Sequence, residues 1–83
     1  MTAENIKTLA IDLLKQIAPD TEPGSLAPDD NIRDKLEIDS FDALQFITQL
    51  DEKLGLDTPE EDYGKISTLA TLCSYFEQKL NKA

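Results

Sequence analysis

The sequence predicts an all-α fold, a small four-helix bundle of three longer helices and one short helix. Three segments repeat apolar residues at the spacing of an amphipathic helix, and no stretch alternates apolar and polar residues as a half-buried strand does. The chain has 83 residues, which is enough for one domain and leaves no room for a second. We therefore expect residues 1–83 to form a single domain, with a long loop between the first and second helices.

The first helix is predicted to begin near Thr2 and to end before Pro19, because the residue preceding a proline disfavours helical dihedral angles. With a helical period, five apolar residues fall on one stripe and a sixth, Leu14, lies at its margin. The stripe consists of Ile6, Leu9, Ala10, Leu13 and Ile17.

The long loop is predicted from Ala18 to Asp39. It contains three prolines and a glycine, so it cannot form one long helix, although residues 29–35 are compatible with a helical turn. Connections of this length are uncommon in compact domains and usually have a function. We expect its apolar residues to hold it across the bundle: Leu26, Ile32, Leu36 and Ile38.

The second helix is predicted to start after Asp39, the expected N-cap, and to end at Gly55, where a left-handed C-terminal cap belongs. Its apolar stripe is formed by Ala43, Phe46, Ile47, Leu50 and Leu54. The stripe of the last helix is formed by Leu69, Leu72, Cys73, Phe76 and Leu80, and either Ser67 or Thr68 is its expected N-cap.

A single short helical turn is predicted between these two helices, in the stretch DTPEEDYGKIS. Thr58 is the expected cap, and Pro59 suits the first helical position. Glu61 would complete a capping box with Thr58, and Gly64 would end the turn.

Composition argues against several classes of protein. The chain has 17 acidic and 8 basic residues, a net charge of −9 and no histidine. Nucleic acid is disfavoured as a partner, because binding it requires a basic face. Without histidine no Ser–His or Cys–His pair exists, and the isolated glycines do not form a phosphate-binding loop. We therefore expect a protein that is not an enzyme.

Neither the acid-rich loop nor the single cysteine has the pattern of a metal or catalytic site. Counting a calcium-binding loop from Asp29 puts Asp34 where glycine is needed and Ser40 where a glutamate is needed, so no metal site is expected. Cys73 lies on the apolar stripe of the last helix and is expected to be a buried structural thiol.

A cytoplasmic location is expected from three features of the sequence. The single cysteine cannot form an internal disulfide, no signal-peptide layout begins the chain, and no apolar run is long enough for membrane insertion.

The start of the second helix combines unusual features. Phe41 and Leu44 point about 160° and about 100° away from Ala43 on the core stripe, which aims two large apolar side chains at solvent. They indicate a contact patch unless the long loop covers them. Ser40 stands at the helix start, where unpaired N–H groups favour an anion such as a phosphate ester. It is either a modifiable serine on an acidic interaction module or a capping serine of no further importance.

The stretch LEIDSFDALQFITQLDEKLGL resembles the segment around the prosthetic-group serine of acyl carrier proteins. Chain length, acidity, the long proline-bearing loop, the short helix and the sequence GKIST extend the resemblance over the whole chain. It implies that Ser40 carries 4′-phosphopantetheine through a phosphodiester, with Asp39 beside it, and that a phosphopantetheinyl transferase installs this group from coenzyme A. The group would hold acyl chains as thioesters.

The resemblance also implies a monomer that docks on acyl-loading and acyl-processing enzymes through their basic patches. Phe41 and Leu44 would form the apolar centre of the contact, and the acyl chain would enter the bundle between helices. The full set of expected partner-binding residues is Phe41, Asp42, Leu44, Gln45, Thr48, Asp51 and Glu52.

Three departures from the family pattern point to a specialised carrier. Phe41 replaces the usual leucine, Gln45 and Gln49 are neutral where acids are frequent, and Glu37 stands where glycine is common. We expect a carrier for a fatty-acid-like, lipid-modifying or secondary-metabolite pathway rather than the general carrier of fatty-acid synthesis. The alternatives are an aminoacyl or peptidyl carrier domain, and a cofactor-free acidic helical adaptor for basic partners.

Overall fold

The computed structural model describes residues 2–81 and places six helical segments in this range. Within it the only strand-like pairing is an isolated bridge between Asn31 and Thr68, which confirms the all-α fold class. The segments are α1 (Ala3–Ile17), a 3₁₀ turn (Pro23–Ser25), α2 (Ile32–Leu36), α3 (Ser40–Leu54), a 3₁₀ helix (Glu60–Ile66) and α4 (Leu69–Asn81).

Helix α1 lies at the centre of the bundle and packs against both α3 and α4. Thr2 caps it by accepting a hydrogen bond from the Asn5 amide at 3.2 Å, and it ends before Pro19 as predicted. The expected position of Leu14 at the margin of the apolar stripe is wrong, because Leu14 is fully buried while Leu9 and Ile17 are only partly buried. A helix with two neighbours buries a wider face than one stripe.

The long loop is held across the bundle as the sequence predicts. Leu26, Ile32, Leu36 and Ile38 are all buried, and the expected helical turn is α2. The Ile32 amide donates to the Ser67 carbonyl at 2.9 Å, which ties the start of α2 to the start of α4. This tie places α2 beside the segment that precedes α4.

The stretch between α3 and α4 differs from its prediction. It forms a 3₁₀ helix that continues past Gly64 to Ile66, and no side chain caps its start. Thr58 is not the cap: its amide and hydroxyl donate to the two carboxylate oxygens of Asp51, at 3.0 Å and 2.6 Å. Thr58 is buried, so its amide and its hydroxyl need hydrogen-bond acceptors, and the Asp51 carboxylate on α3 supplies both.

Helix α4 closes the core from the other side of α1. Thr68 is its N-cap and accepts a hydrogen bond from the Thr71 amide at 3.1 Å. Phe76 and Leu72 are fully buried, whereas Cys73 is only partly buried, so the expectation of a buried thiol is wrong in degree. Its partial burial still raises the pKa of the Cys73 thiol, which keeps it protonated and weakly nucleophilic.

No helix between residues 2 and 81 combines the length and the apolar character that crossing a membrane requires.

Candidate functional site

Ser40 is the first residue of α3, and its side chain does not cap the helix. Asp39 is the N-cap, as predicted, and its Oδ1 accepts a hydrogen bond from the Asp42 amide at 2.8 Å. Ser40 itself is exposed, and its hydroxyl makes no hydrogen bond to any other residue in the range 2–81. The helix is therefore capped without Ser40, which leaves the hydroxyl accessible for modification.

The segment that leads to Ser40 is held on both sides of a strained residue. Leu36 and Ile38 are buried, while Glu37 between them is exposed and adopts a left-handed conformation with φ 53° and ψ 41°. This conformation ends α2, and the Ile38 amide returns to the Arg33 carbonyl at 3.2 Å. The reversal directs the chain into α3, so Glu37 shapes the approach to Ser40.

Replacing Glu37 with Gly is expected to stabilise the protein. A non-glycine residue in the left-handed conformation destabilises the folded state by about 1–2 kcal/mol, and glycine removes this cost. Glycine also has more conformational freedom in the unfolded chain, which offsets part of the gain. We expect the free energy of unfolding to rise by about 0.5–1 kcal/mol in urea denaturation.

Gly55→Ala is the matched opposite change. Gly55 also has a left-handed φ of 70°, and an added Cβ would meet no atom within 4 Å, so its cost comes from the backbone alone. We expect a loss of about 1–2 kcal/mol there. A Glu37→Gly variant less stable than the parent would show that the glutamate side chain makes a compensating contact.

The apolar residues after Ser40 face solvent, as the sequence predicts. Phe41 is 69% exposed and Leu44 46% exposed, so the long loop does not cover them. Gln45 and Thr48 are exposed on the same helix, whereas Asp42 is half-buried. The structure thus brings most of the expected partner-binding residues onto the outward face of α3.

The two acids near the end of α3 differ in their surroundings. Glu52 is exposed, but Asp51 is half-buried and both its carboxylate oxygens accept hydrogen bonds from Thr58. Each oxygen of this carboxylate can accept a second hydrogen bond, but the two bonds from Thr58 fix the orientation in which Asp51 would meet an external cation. Contact of either acid with a partner stays a prediction.

A groove of about 920 Å³ opens beside Ser40, between α2, the first half of α3 and the 3₁₀ helix. Its floor is apolar and consists of the buried side chains Ile32, Ile38, Phe46, Ile47 and Ile66. Its rim carries Ser40, Phe41 and Leu44 on one side and Glu60 and Tyr63 on the other. The hydroxyl of Ser40 thus stands at the mouth of a space suited to an apolar chain.

The far wall of this groove is fixed to α4 by Asp62. Its carboxylate accepts a hydrogen bond from the Tyr75 hydroxyl at 2.7 Å and pairs with Lys65 at 3.2 Å. The Tyr75 bond and then Lys65 lower the pKa of Asp62, so the stabilisation from this carboxylate is lost only as pH falls through that lowered pKa. Burial, followed by the bond to Asp62, raises the pKa of Tyr75 to about 12.

Sequence reasoning missed Tyr63, Asp62, Tyr75 and Arg33 as residues of this region. Arg33 and Tyr63 line the groove, and the other two anchor its wall. The sequence carries one indication of Tyr75. It lies next to Phe76 but off the apolar stripe, so its ring is expected to contact a neighbouring side chain through its edge.

Comparison with known proteins gives consistent results in sequence and in structure. A family model described as "Phosphopantetheine attachment site" matches residues 4–76. The acyl carrier protein of Helicobacter hepaticus is 29% identical over 76 residues, covering 92% of this chain and 93% of the relative. The meromycolate extension acyl carrier protein of Mycobacterium tuberculosis is 24% identical, covering 94% of this chain and 67% of that protein. A solved structure of an acyl carrier protein from Enterococcus faecalis superimposes with a TM-score of 0.71 at 28% identity, covering 94% of this chain and 98% of that chain.

Proposed function

The chain belongs to the phosphopantetheine attachment-site family, and we propose that Ser40 is the residue to which its 4′-phosphopantetheine is attached. The protein is an acyl carrier protein with this cofactor bound covalently, and it carries acyl groups rather than catalysing their conversion. One observation carries the proposal for Ser40: its hydroxyl is exposed and unpaired within residues 2–81, at the start of α3 and the mouth of an apolar groove.

The surroundings of Ser40 suit a phosphodiester at that position. Asp39 satisfies the Asp42 amide, which leaves the amides of Ser40 and Phe41 and the positive end of the α3 dipole beside the hydroxyl. The carboxylates of Asp39 and Asp42 oppose this effect and favour a basic partner surface. When bound, the group supplies a terminal thiol that holds an acyl chain as a thioester.

The groove supports transient shelter of the acyl chain within this protein. The lining side chains Phe46, Ile47 and Ile66 are apolar members of the core, so a hydrocarbon chain placed in the groove would leave water and meet an apolar surface. We propose that the chain carried on Ser40 lies in this groove between transfers.

The docking face, defined as Phe41, Leu44, Gln45 and Thr48, lies next to the attachment residue. Its two large apolar side chains stay exposed in a protein of net charge −9. Exposed aromatic residues within a charged rim are typical of transient interfaces. We propose that basic patches on the phosphopantetheinyl transferase and on acyl-processing enzymes meet this face and the neighbouring acids Asp39, Asp42 and Glu52.

The residues around Ser40 favour a carrier that serves a specialised set of partner enzymes. Phe41 enlarges the contact beyond a leucine, Gln45 removes a charge, and Glu37 adds one at a position where its backbone is strained. Efficient exchange of this protein with enzymes of general fatty-acid synthesis would contradict this proposal. The cytoplasmic location and the monomeric state remain predictions.

Incubation with coenzyme A, magnesium and a broad-specificity phosphopantetheinyl transferase tests the attachment. We expect the intact mass to increase by one phosphopantetheinyl group, and digestion should place the added mass on the peptide that contains Ser40. A folded protein that gains no mass would favour the cofactor-free adaptor, and added mass on another serine would overturn the assignment of Ser40.

Replacing Phe41 with Ala is expected to weaken docking without destabilising the fold. Because 69% of this side chain is exposed, its removal costs little buried surface, and the free energy of unfolding should change by less than about 1 kcal/mol. Loss of an aromatic contact at the centre of an interface should raise the KM of the transferase for this protein about tenfold, with kcat retained.

Gln78→Ala is the control for the Phe41 variant, since Gln78 is exposed on α4 and lies outside the docking face. Its KM should equal that of the parent. A Phe41→Ala variant with an unchanged KM would remove this residue from the docking face.

A further inference from the structure

The 3₁₀ helix forms one wall of the groove, and of the walls it has the weakest backbone hydrogen bonding. It spans seven residues, Glu60–Ile66, although 3₁₀ geometry gives poorer hydrogen bonds and rarely extends beyond three or four residues. It packs on α4, and the groove separates its middle from the first half of α3. Its position therefore depends on side-chain contacts with the rest of the bundle.

Both ends of this wall are tied to neighbouring elements. Just before its start, Thr58 is bound to Asp51 near the end of α3. Just after its end, the Ser67 carbonyl accepts the Ile32 amide at 2.9 Å. A wall fixed at its ends can move most in its middle, where Tyr63 lines the groove.

Within residues 2–81, one hydrogen bond between side chains joins the middle of the wall to α4. Asp62, adjacent to Tyr63, accepts the Tyr75 hydroxyl from α4 at 2.7 Å. The Tyr75 ring is itself held in place, because its edge-to-face contact with the buried ring of Phe76 has a centroid distance of 5.2 Å. Lys79 lies 5.5 Å from the Tyr75 centroid on the same helix, as a cation–π contact.

We propose that the hydrogen bond between Tyr75 and Asp62 sets the size of acyl chain that this carrier shelters, by holding the 3₁₀ helix against α4. This inference rests on the proposed attachment at Ser40. A short chain fits the open part of the groove with the wall in place. Deeper entry of a long chain must part the packed side chains of Ile47 and Ile66, because protein interiors leave little empty volume.

The distal part of a long chain therefore stays in solvent in the parent protein. Asp62 and Tyr75 do not line the groove, so they act as positioning residues through Tyr63 and Ile66. Cargo length is then selected by the stiffness of the wall as well as by the volume of the groove.

Tyr75→Phe tests this inference, because it removes the hydroxyl and keeps the ring. We expect amide hydrogen exchange in the 3₁₀ helix to accelerate about tenfold in the modified, unacylated protein, as expected for losing one hydrogen bond to a carboxylate. Butyryl and lauroyl forms are then compared by the methyl resonances of Ile47 and Ile66. In the parent, the lauroyl chain should displace these resonances no further than the butyryl chain does. In Tyr75→Phe, the lauroyl chain should displace them further than the butyryl chain does, and it should slow amide hydrogen exchange in the 3₁₀ helix.

Two variants serve as controls. Thr8→Ala removes an exposed hydroxyl on α1 that donates to the Glu4 carbonyl at 3.1 Å, away from the groove, so it should behave as the parent. Asp62→Asn keeps an acceptor for the Tyr75 hydroxyl, although it loses the ion pair with Lys65. It should therefore retain most of the parent's difference in response to butyryl and lauroyl chains.

The possible outcomes distinguish a failure of this inference from a failure of the proposed attachment at Ser40. The mass of each protein after phosphopantetheinylation is measured first, so failure to modify Ser40 contradicts the proposed function. If Ser40 is modified but parent and Tyr75→Phe respond alike to butyryl and lauroyl, the role of the Tyr75–Asp62 bond is wrong. A lauroyl chain that displaces the Ile47 and Ile66 resonances of the parent further than a butyryl chain does would contradict the inference as well.

Discussion

Replacing Ser40 with Ala is expected to abolish attachment of 4′-phosphopantetheine completely while leaving the fold in place. No other hydroxyl occupies the start of α3 at the mouth of the groove, so the transferase has no substitute acceptor there. Asp39 remains the cap through its bond to the Asp42 amide, and the exposed Ser40 side chain makes no packing contact that the fold requires. The free energy of unfolding should therefore change by less than about 1 kcal/mol.

Intact mass and urea denaturation of the same sample check both halves of this prediction. Ser74→Ala is the matched control, because Ser74 is an exposed serine on α4, away from the groove. The control should gain the full mass of one group. A Ser40→Ala protein that unfolds, or one that is still modified, would assign Ser40 a different role.

Replacing Asp51 with Ala is expected to destabilise the protein by about 2–4 kcal/mol. The change leaves the amide and hydroxyl of Thr58 without their acceptors, and each buried donor left unpaired costs about 1–3 kcal/mol. Such a loss is a large part of the stability of a small domain, which is commonly about 5–15 kcal/mol. Thermal and urea denaturation followed by circular dichroism measure it.

Glu52→Ala separates this structural role from the loss of a charge. Glu52 is the next residue along α3 and is exposed, and its replacement removes the same charge. The free energy of unfolding of Glu52→Ala should therefore stay within about 0.5 kcal/mol of the parent. If both variants were equally stable, Asp51 would be a surface acid like its neighbour. The expected contrast would mean that any effect of Asp51→Ala on partner binding must be corrected for loss of fold.

The ends of the long helices follow from short stretches of sequence. Thr2, Asp39 and Thr68 cap α1, α3 and α4 through bonds to amides three residues later, and such bonds need nothing from the rest of the molecule. Gly55 adopts the left-handed cap that its residue type favours. The exposure of Phe41 and Leu44 follows from helical period alone, once the opposite face is assigned to the core.

Local patterns were misleading where a distant side chain competes. Thr58 has the residue type and spacing of a cap, but Asp51, seven residues earlier, reaches it when α3 turns into the following loop. Helical period puts Leu14 at the margin of its stripe, but α1 packs against two helices and buries Leu14 completely. In both cases the decisive partner comes from another part of the fold.

The sequence by itself determined the class of fold, the limits of the long helices and the exposed serine that opens α3, because these depend on neighbours within about one helical turn. Only the tertiary structure decided that Ser40 stands at the mouth of a groove, that Glu37 is left-handed and that Asp62 binds Tyr75 across two elements. Those features depend on where separate segments meet, and the distance between segments in space is not encoded in any short pattern.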